Sequence, residues 1–97
     1  MKPFRWGAEK NVQLKLDRGI SFEAMVVAVE AGGLVDILAH PNSAKYPNRR
    51  VLVVAGNGYA YLVPFVEAAD HFLLKTVIPS RKATRDYLNQ GEPDAQT

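Results

Sequence analysis

The side chains of this sequence best suited to chemistry are basic, and they are concentrated in one stretch. Residues 45–85 hold seven Lys and Arg against two acidic residues, whereas residues 19–44 hold three acidic residues and no Lys or Arg. Clustered cations of this kind bind phosphate backbones, so RNA or DNA is a candidate ligand. An ordinary solvated basic surface is the alternative that charge alone leaves open.

The segment IPSRKATR, residues 78–85, places a hydroxyl and three cations where a predicted strand ends and a helix begins. Ser80 and the first backbone N–H groups of this helix would lie beside Arg81, Lys82 and Arg85. Unpaired N–H groups and guanidinium groups both favour anions, so this corner is a candidate phosphate site. The alternative is a capped terminal helix whose basic side chains only face solvent.

Several other kinds of site are absent from the sequence. It contains no P-loop, no dinucleotide-binding glycine fingerprint and no metal-ligand spacing. It has no cysteine, and its two histidines, His40 and His71, are well separated. We therefore predict no metal and no cofactor. No apolar run is long enough for a membrane span, and the first residues lack the apolar region of a signal peptide. The cytoplasm, without membrane association, is the predicted location.

The elements that must position the basic residues follow from hydrophobic spacing and capping signals. A first helix is predicted from the spacing of Ala8, Val12 and Leu16, and Gly19 is its expected end. Ser21 is a predicted N-cap for a second helix, whose apolar positions 22, 25, 26 and 29 form one stripe. The first half of the chain is therefore predicted to be a helical hairpin.

The second half of the chain is predicted to form strands. Four are predicted, over residues 34–38, 51–55, 59–66 and 72–78, before a short helix over 81–89. Asn57-Gly58 indicates a type I′ hairpin turn, which needs positive φ at both central residues. Pro64 cannot donate to a strand ladder, so a bulge or bend is expected there.

The predicted fold class is α+β, with two N-terminal helices packed on a four-stranded antiparallel sheet and a short C-terminal helix. Residues 1–90 are expected to form one domain, and residues 91–97 a disordered tail. One core is expected to contain Phe4, Trp6, Phe22, Val26, Val53 and Leu74.

Both ends of the chain resemble the BrnT-type toxin family, over about residues 4–88. The start has Trp6, Lys10 four residues later, and then RGISFE over residues 18–23. This is similar to the family's Trp, Lys and a basic residue followed by Gly-(Val/Ile)-Ser-Phe-Glu. The end, IPSRKAT over residues 78–84, is similar to the family's closing Ile-Ser-x-Arg-Lys-Ala-Thr.

The resemblance implies a RelE-like fold and a metal-independent endoribonuclease that halts translation. Such toxins belong to type II toxin–antitoxin systems and are neutralised by a cognate DNA-binding antitoxin, which is therefore the expected protein partner. RNA is the expected substrate. A homo-oligomer and a hetero-oligomer with the antitoxin are both left open. The antitoxin is expected to dock near Arg49, Arg50, Arg81 and Lys82.

Metal-independent RNA cleavage needs a base, an acid and cations that stabilise the phosphorane. Arg81 and Lys82 are predicted to contact the phosphate, with Arg49 or Arg50 opposite. The remaining predicted RNA contacts come from Arg50, Lys75, Ser80 and Arg85.

Two residues are candidates for proton transfer. Glu67 is the predicted base, because it is the only acidic residue within predicted strands two to four; a salt bridge to Lys75 or Arg49 is the alternative. His40 is the predicted proton donor, and an ordinary loop histidine is the alternative.

The chain departs from the family pattern in its third strand. The family has a polar stretch with a His near a Glu, whereas this chain has VPFVE over residues 63–67. A non-catalytic interaction or nucleic-acid-binding domain on the same scaffold is therefore the alternative function. Tyr59 and Tyr61 are expected to be core residues rather than base-stacking platforms.

Overall fold

The computed structural model describes residues 2–89, and the predicted disordered tail over 91–97 lies outside this range. The strands are β1 Phe4–Trp6, β2 Leu34–Ala39, β3 Arg49–Gly56, β4 Tyr59–Glu67, β5 Phe72–Leu74 and β6 Ile78–Pro79. The helices are α1 Ala8–Arg18, α2 Phe22–Ala28 and α3 Arg81–Ala83. Wider helical turns extend α2 over Val29–Gly33 and α3 over Thr84–Leu88. Within the described range, no helix is both long enough and apolar enough to span a bilayer.

The strands form one mixed sheet in the order β1-β5-β4-β3-β2, with β6 also paired to β4. The predicted α+β class is confirmed, but the prediction of a four-stranded antiparallel sheet is wrong. Phe4–Trp6 forms an additional strand that runs parallel to β5, with Phe4 opposite Phe72. Three residues are too few to show strand periodicity, and their partner lies at the other end of the chain.

Side chains of the sheet alternate between two differently covered faces. We call the face that carries Leu52, Val54 and Phe65 the helical face, because Phe22 and Met25 of α2 pack there in the main core. We call the other the open face; it is only partly covered, by α3. Val53 and Ala60 lie on the open face and form a separate buried cluster with Ala83. The prediction that Val53 belongs to the main core is therefore wrong, since alternation places it opposite Leu52 and Val54.

The two N-terminal helices are joined by local caps and by one buried amide. Gly19 ends α1 at φ 66°, and the Ser21 hydroxyl accepts a hydrogen bond from the Ala24 N–H at 3.1 Å, as expected. Asn11, only 6% exposed, accepts from the Phe22 N–H at 2.9 Å and donates to Glu23 at 2.7 Å.

The residues that α1 buries differ from those expected from its spacing. Asn11 and Leu14 are buried, whereas Val12 and Leu16 are 55% and 79% exposed. The apolar spacing therefore predicts the helix but does not mark the face that it buries. Asn11 takes an inward position because its amide supplies an acceptor for a buried backbone donor at the start of α2.

The remaining core predictions hold in part. Phe22 is fully buried and its ring stacks on Trp6 at a centroid distance of 5.7 Å. Leu74 is also buried, while Phe4, Trp6 and Val26 are partly buried and pack against the same cluster.

Local turn signals of the sheet are confirmed. Asn57 and Gly58 adopt positive φ values of 55° and 77° between β3 and β4. The bulge expected at Pro64 is not in β4 itself, whose pairing with β3 is continuous through Pro64; the irregularity lies between β5 and β6, the strands that pair with the other edge of β4. The Pro64 carbonyl points toward β5 and accepts a hydrogen bond from the Lys75 N–H at 2.8 Å. Proline has no N–H to donate on that same side of β4, so one hydrogen bond of the ladder is missing there. The pairing register shifts by one residue between β5 and β6, which together replace the single predicted fourth strand.

Candidate nucleic-acid interface

A cleft of about 310 Å³ crosses the sheet near the start of β3. Four of the predicted site residues line it: His40, Arg49, Arg50 and Lys75. The other lining residues are Val51, Pro64, Phe65 and Val66. We call this cleft the basic groove.

The strand register explains why these residues meet. His40 directly follows β2 and donates its backbone N–H to the Arg49 carbonyl at 3.3 Å. Lys75 directly follows β5 and is held opposite Pro64 by the backbone bond described above. Since Arg49 has the same strand parity as Val51 and Val53, its side chain belongs to the open face. Three separate chain segments therefore place cations and an imidazole on one side of the sheet.

The loop before β3 holds Arg49 against an aromatic ring. The Arg49 guanidinium carbon lies 4.6 Å from the ring centroid of Tyr46, and the Lys45 ammonium lies 5.4 Å from it. The His40 ring packs against Tyr46 at 4.9 Å between centroids. The Arg49 N–H also donates to the Tyr46 carbonyl at 3.2 Å, which fixes the turn that brings them together. A cation over an aromatic face is attracted by the ring quadrupole, so Tyr46 restricts where Arg49 can lie.

Sequence reasoning did not single out Tyr46. The available signal was an aromatic residue three positions before an arginine in a polar loop. That spacing has no regular periodicity, because the contact depends on the loop turn rather than on a helix or strand.

The hydrogen bonding of His40 limits its chemistry. Its Nδ1 accepts from the Asn42 N–H at 2.9 Å. A ring nitrogen that accepts a hydrogen bond carries no proton, so the neutral imidazole has its proton on Nε2. His40 can therefore donate a hydrogen bond from Nε2 into its surroundings.

Glu67 does not line the basic groove, but it is bound to two cations, of which Arg50 does. Its carboxylate accepts from the Lys2 ammonium at 2.7 Å and forms a short ion pair with Arg50. The Lys2 hydrogen bond, together with the charges of Lys2 and Arg50, lowers the pKa of the Glu67 carboxyl despite partial desolvation. The predicted salt-bridge alternative for Glu67 was correct in kind, but the partners are Lys2 and Arg50 rather than Lys75 or Arg49.

Arg50 has a structural role in addition to its place beside the groove. Its guanidinium lies 5.2 Å from the Phe65 ring, on the helical face, and it pairs with Glu67 there. Strand parity explains the separation, since Arg49 and Arg50 point to opposite faces of the sheet.

The remaining predicted residues lie at the start of α3. The Ser80 hydroxyl caps this helix by accepting from the Ala83 N–H at 3.0 Å, as expected. Arg81, Lys82 and Arg85 are exposed. Asp86 accepts from Lys82 and from Arg85, each at 3.2 Å, and the hydrogen bond from Lys82 is the main cause of its lowered pKa.

The structure thus divides the predicted site residues into two groups. Arg49 and Arg50 lie opposite Val66 and Phe65 of β4, whereas β6, which leads into Arg81, pairs with Tyr61 and Leu62. Three to five positions along β4 correspond to roughly 10–16 Å. His40, Arg49 and Lys75 share the open face with α3, which buries Ala83 there, whereas Arg50 and Glu67 belong to the helical face.

Other candidate features lie away from the groove. Tyr59 and Tyr61 have the parity of Val63 and Phe65, and Tyr61 packs against the main core. In the range 2–89 no group of three or more His, Cys, Asp or Glu could hold a metal ion.

Comparisons of the chain with protein-family models, with curated proteins and with solved structures find no match.

Proposed function

We propose that this protein is the toxin of a bacterial type II toxin–antitoxin system, with a RelE-like fold and metal-independent endoribonuclease activity against RNA. The observation that carries the proposal is the basic groove, where Arg49, Lys75 and His40 converge on the open face. The resemblance of residues 4–23 and 78–84 to BrnT-type toxins supports the same reading. Cleavage of RNA would inhibit translation in the cytoplasm.

The roles of the groove residues follow from their chemistry. Arg49 and Lys75 would bind a phosphate and stabilise the additional negative charge of the phosphorane, which exists only during reaction. His40 would donate the hydrogen bond of its Nε2 to a phosphate or leaving-group oxygen. Arg81 and Lys82, farther along the open face, would contact the reacting phosphate from the side opposite Arg49.

A second candidate function is RNA binding without cleavage. The observation that favours it is the engagement of Glu67 with Lys2 and Arg50, which leaves no carboxylate in the lining of the groove. A carboxylate paired with two cations is a weak proton acceptor, because the cations stabilise its charged form. The two candidates share the groove and differ in whether a bound RNA is cut.

The protein partner in this proposal is a DNA-binding antitoxin that covers the open face. An inhibitor of a cationic groove needs complementary charge, so an acidic segment is the expected contact. The complex with this antitoxin would be a hetero-oligomer.

The proposal is tested by expressing the chain in bacteria with and without the protein encoded beside it. We expect growth arrest with the toxin alone and rescue with its neighbour. Arg49→Ala should relieve the arrest, whereas Lys15→Ala on α1 removes the same charge from the opposite side of the sheet and should not. Purified protein should cleave RNA in the presence of a chelator. RNA binding without cleavage, with or without ribosomes, would select the second candidate, and an absence of both would reject both.

A further inference from the structure

Arg49 both contacts the Tyr46 ring and lines the basic groove. Its guanidinium packs over that ring at 4.6 Å. A guanidinium is planar, so a group stacked on one side by an aromatic ring can stack on a second flat ring with its other side. Exposed aromatic side chains and arginine planes are the surfaces on which unpaired nucleobases stack.

The groove is lined by both apolar and basic residues, which suit the base and the phosphate of a nucleotide. Val51, Pro64 and Val66 are apolar residues of the open face and line it together with Arg49 and Lys75. Val51 and Pro64 are register partners in β3 and β4, so they form one continuous apolar patch. An apolar patch suits the faces of a base, while ammonium and guanidinium groups suit its phosphate.

Duplex nucleic acid cannot use this combination, since its base faces are covered by neighbouring base pairs. We propose that the basic groove binds single-stranded RNA with one unpaired base stacked on Arg49, and that Tyr46 is the positioning residue that orients the guanidinium. This inference rests on the proposed function for its ligand, RNA, but it does not depend on cleavage. It also assigns to Tyr46 a role that neither charge nor the closing motif indicates.

The experiment measures binding of the intact protein to short 2′-O-methyl RNA, which cannot be cut through its 2′-oxygen. One hexamer carries all its bases, and a second of equal length and charge carries abasic sugars. Since stacking of one base is worth roughly a 5- to 100-fold change in affinity, we expect the wild type to prefer the first hexamer by that factor. A duplex of the same sequence should bind no better than the abasic hexamer.

Two variants separate stacking from charge. Arg49→Lys keeps the charge but removes the planar group, so it should lose the preference while it binds the abasic hexamer as the wild type does. Tyr46→Ala should also reduce the preference, and Tyr46→Phe, which keeps the ring, should retain it. Thermal unfolding of each variant checks that the loop substitution leaves the fold intact.

Equal wild-type affinity for the two hexamers would overturn the inference, and so would full preference in Arg49→Lys. If the wild type cleaves RNA but shows no base preference, the inference fails and the proposed ribonuclease stands. If it shows the preference but never cleaves, the inference stands and the ribonuclease proposal fails. Binding to neither hexamer would overturn the inference.

Discussion

Glu67 accepts hydrogen bonds from two cations that lie 65 and 17 positions away in the chain. Lys2 precedes β1 at one edge of the sheet, and Arg50 lies near the start of β3. The carboxylate therefore connects the N-terminal segment to the middle of the sheet. Because both partners stabilise the charged form, its protonation should weaken this connection.

We expect Glu67→Gln to lower the thermal midpoint at neutral pH and to have a much smaller effect in acid. The pKa of Glu67 is lower in the folded state, so its contribution is complete above 4.5, the ordinary Glu value, and is lost as the pH falls through the folded value. Midpoints of both proteins at pH 7 and at successively lower pH below 4.5 measure the effect. Glu30→Gln, at an exposed position on the extension of α2, is the control. A difference that is unchanged by acid would contradict the role of this ion pair.

Arg81 lies at the start of α3 and is exposed, so its substitution should change stability little and any large effect should appear in activity. If Arg81 contacts the transition-state phosphate, Arg81→Ala should slow cleavage by roughly 10²–10³, about 2.7–4 kcal/mol. Arg81→Lys should lose most of this as well, because lysine lacks the bidentate geometry. The free energy of unfolding should change by less than ~0.5 kcal/mol, as at other exposed positions.

Single-turnover cleavage and chemical denaturation measure the two effects of Arg81→Ala. Lys15→Ala is again the matched control for charge. Cleavage at the wild-type rate would show that Arg81 only decorates the end of a helix.

Among the secondary-structure elements, α2 and β4 each bury one phenylalanine in the main core. Phe22 is fully buried, stacks on Trp6 of β1 and donates its backbone N–H to Asn11 of α1. We expect Phe22→Ala to destabilise the fold by about 3–5 kcal/mol, because it leaves a cavity between two helices and the sheet. The midpoint of denaturant unfolding measures this loss. Val12→Ala, at an exposed position on α1, should change it by less than ~0.5 kcal/mol.

The elements that sequence predicted well are those whose signals are local. Gly19, Ser21, Ser80 and the Asn57-Gly58 turn all act within a few residues, and the structure confirms each. The buried face of α1 does not follow its apolar spacing, because Asn11 is buried where it accepts a hydrogen bond from α2. A polar residue that satisfies a backbone donor of another helix has no signature in hydrophobic spacing.

The sequence predicts which residue types form the basic groove, but it does not predict which of them lie together in the folded protein. Charge clustering indicated Arg49, Lys75 and the α3 cations, while strand register decided which of them share a cleft. The face of Arg50 and the partners of Glu67 depend on parity and on Lys2, which lies near the other end of the chain. Tyr46 was missed because loop turns, rather than periodicity, place it beside Arg49.

At the scale of the whole molecule, α1 and α2 cover the helical face of the sheet, while Arg49, Lys75 and the exposed cations of α3 lie on the side of the open face. In the proposed function an antitoxin would bind this open face, and long-range attraction would speed its approach. We expect Arg49→Glu combined with Arg81→Glu to slow association at least 10-fold at low salt and to weaken the salt dependence. Arg50 is left unchanged because its loss would break the pair with Glu67.

Association rates at several salt concentrations test this docking site, with Lys10→Glu combined with Lys15→Glu as a control on α1. These control changes alter net charge equally but lie on the side of the helices. Identical rates for the open-face variant and the wild type would place the antitoxin elsewhere.

The parallel pairing of β1 with β5 has a consequence for synthesis of the chain on the ribosome. Phe4 pairs with Phe72 and Trp6 with Leu74, so β1 cannot enter the sheet until β5, which is made much later, has emerged. Contacts of such long sequence separation form late and slow the folding of a domain. Until then, Phe4 and Trp6 lack their strand partner, and β1 of the nascent chain is exposed to chaperones and proteases.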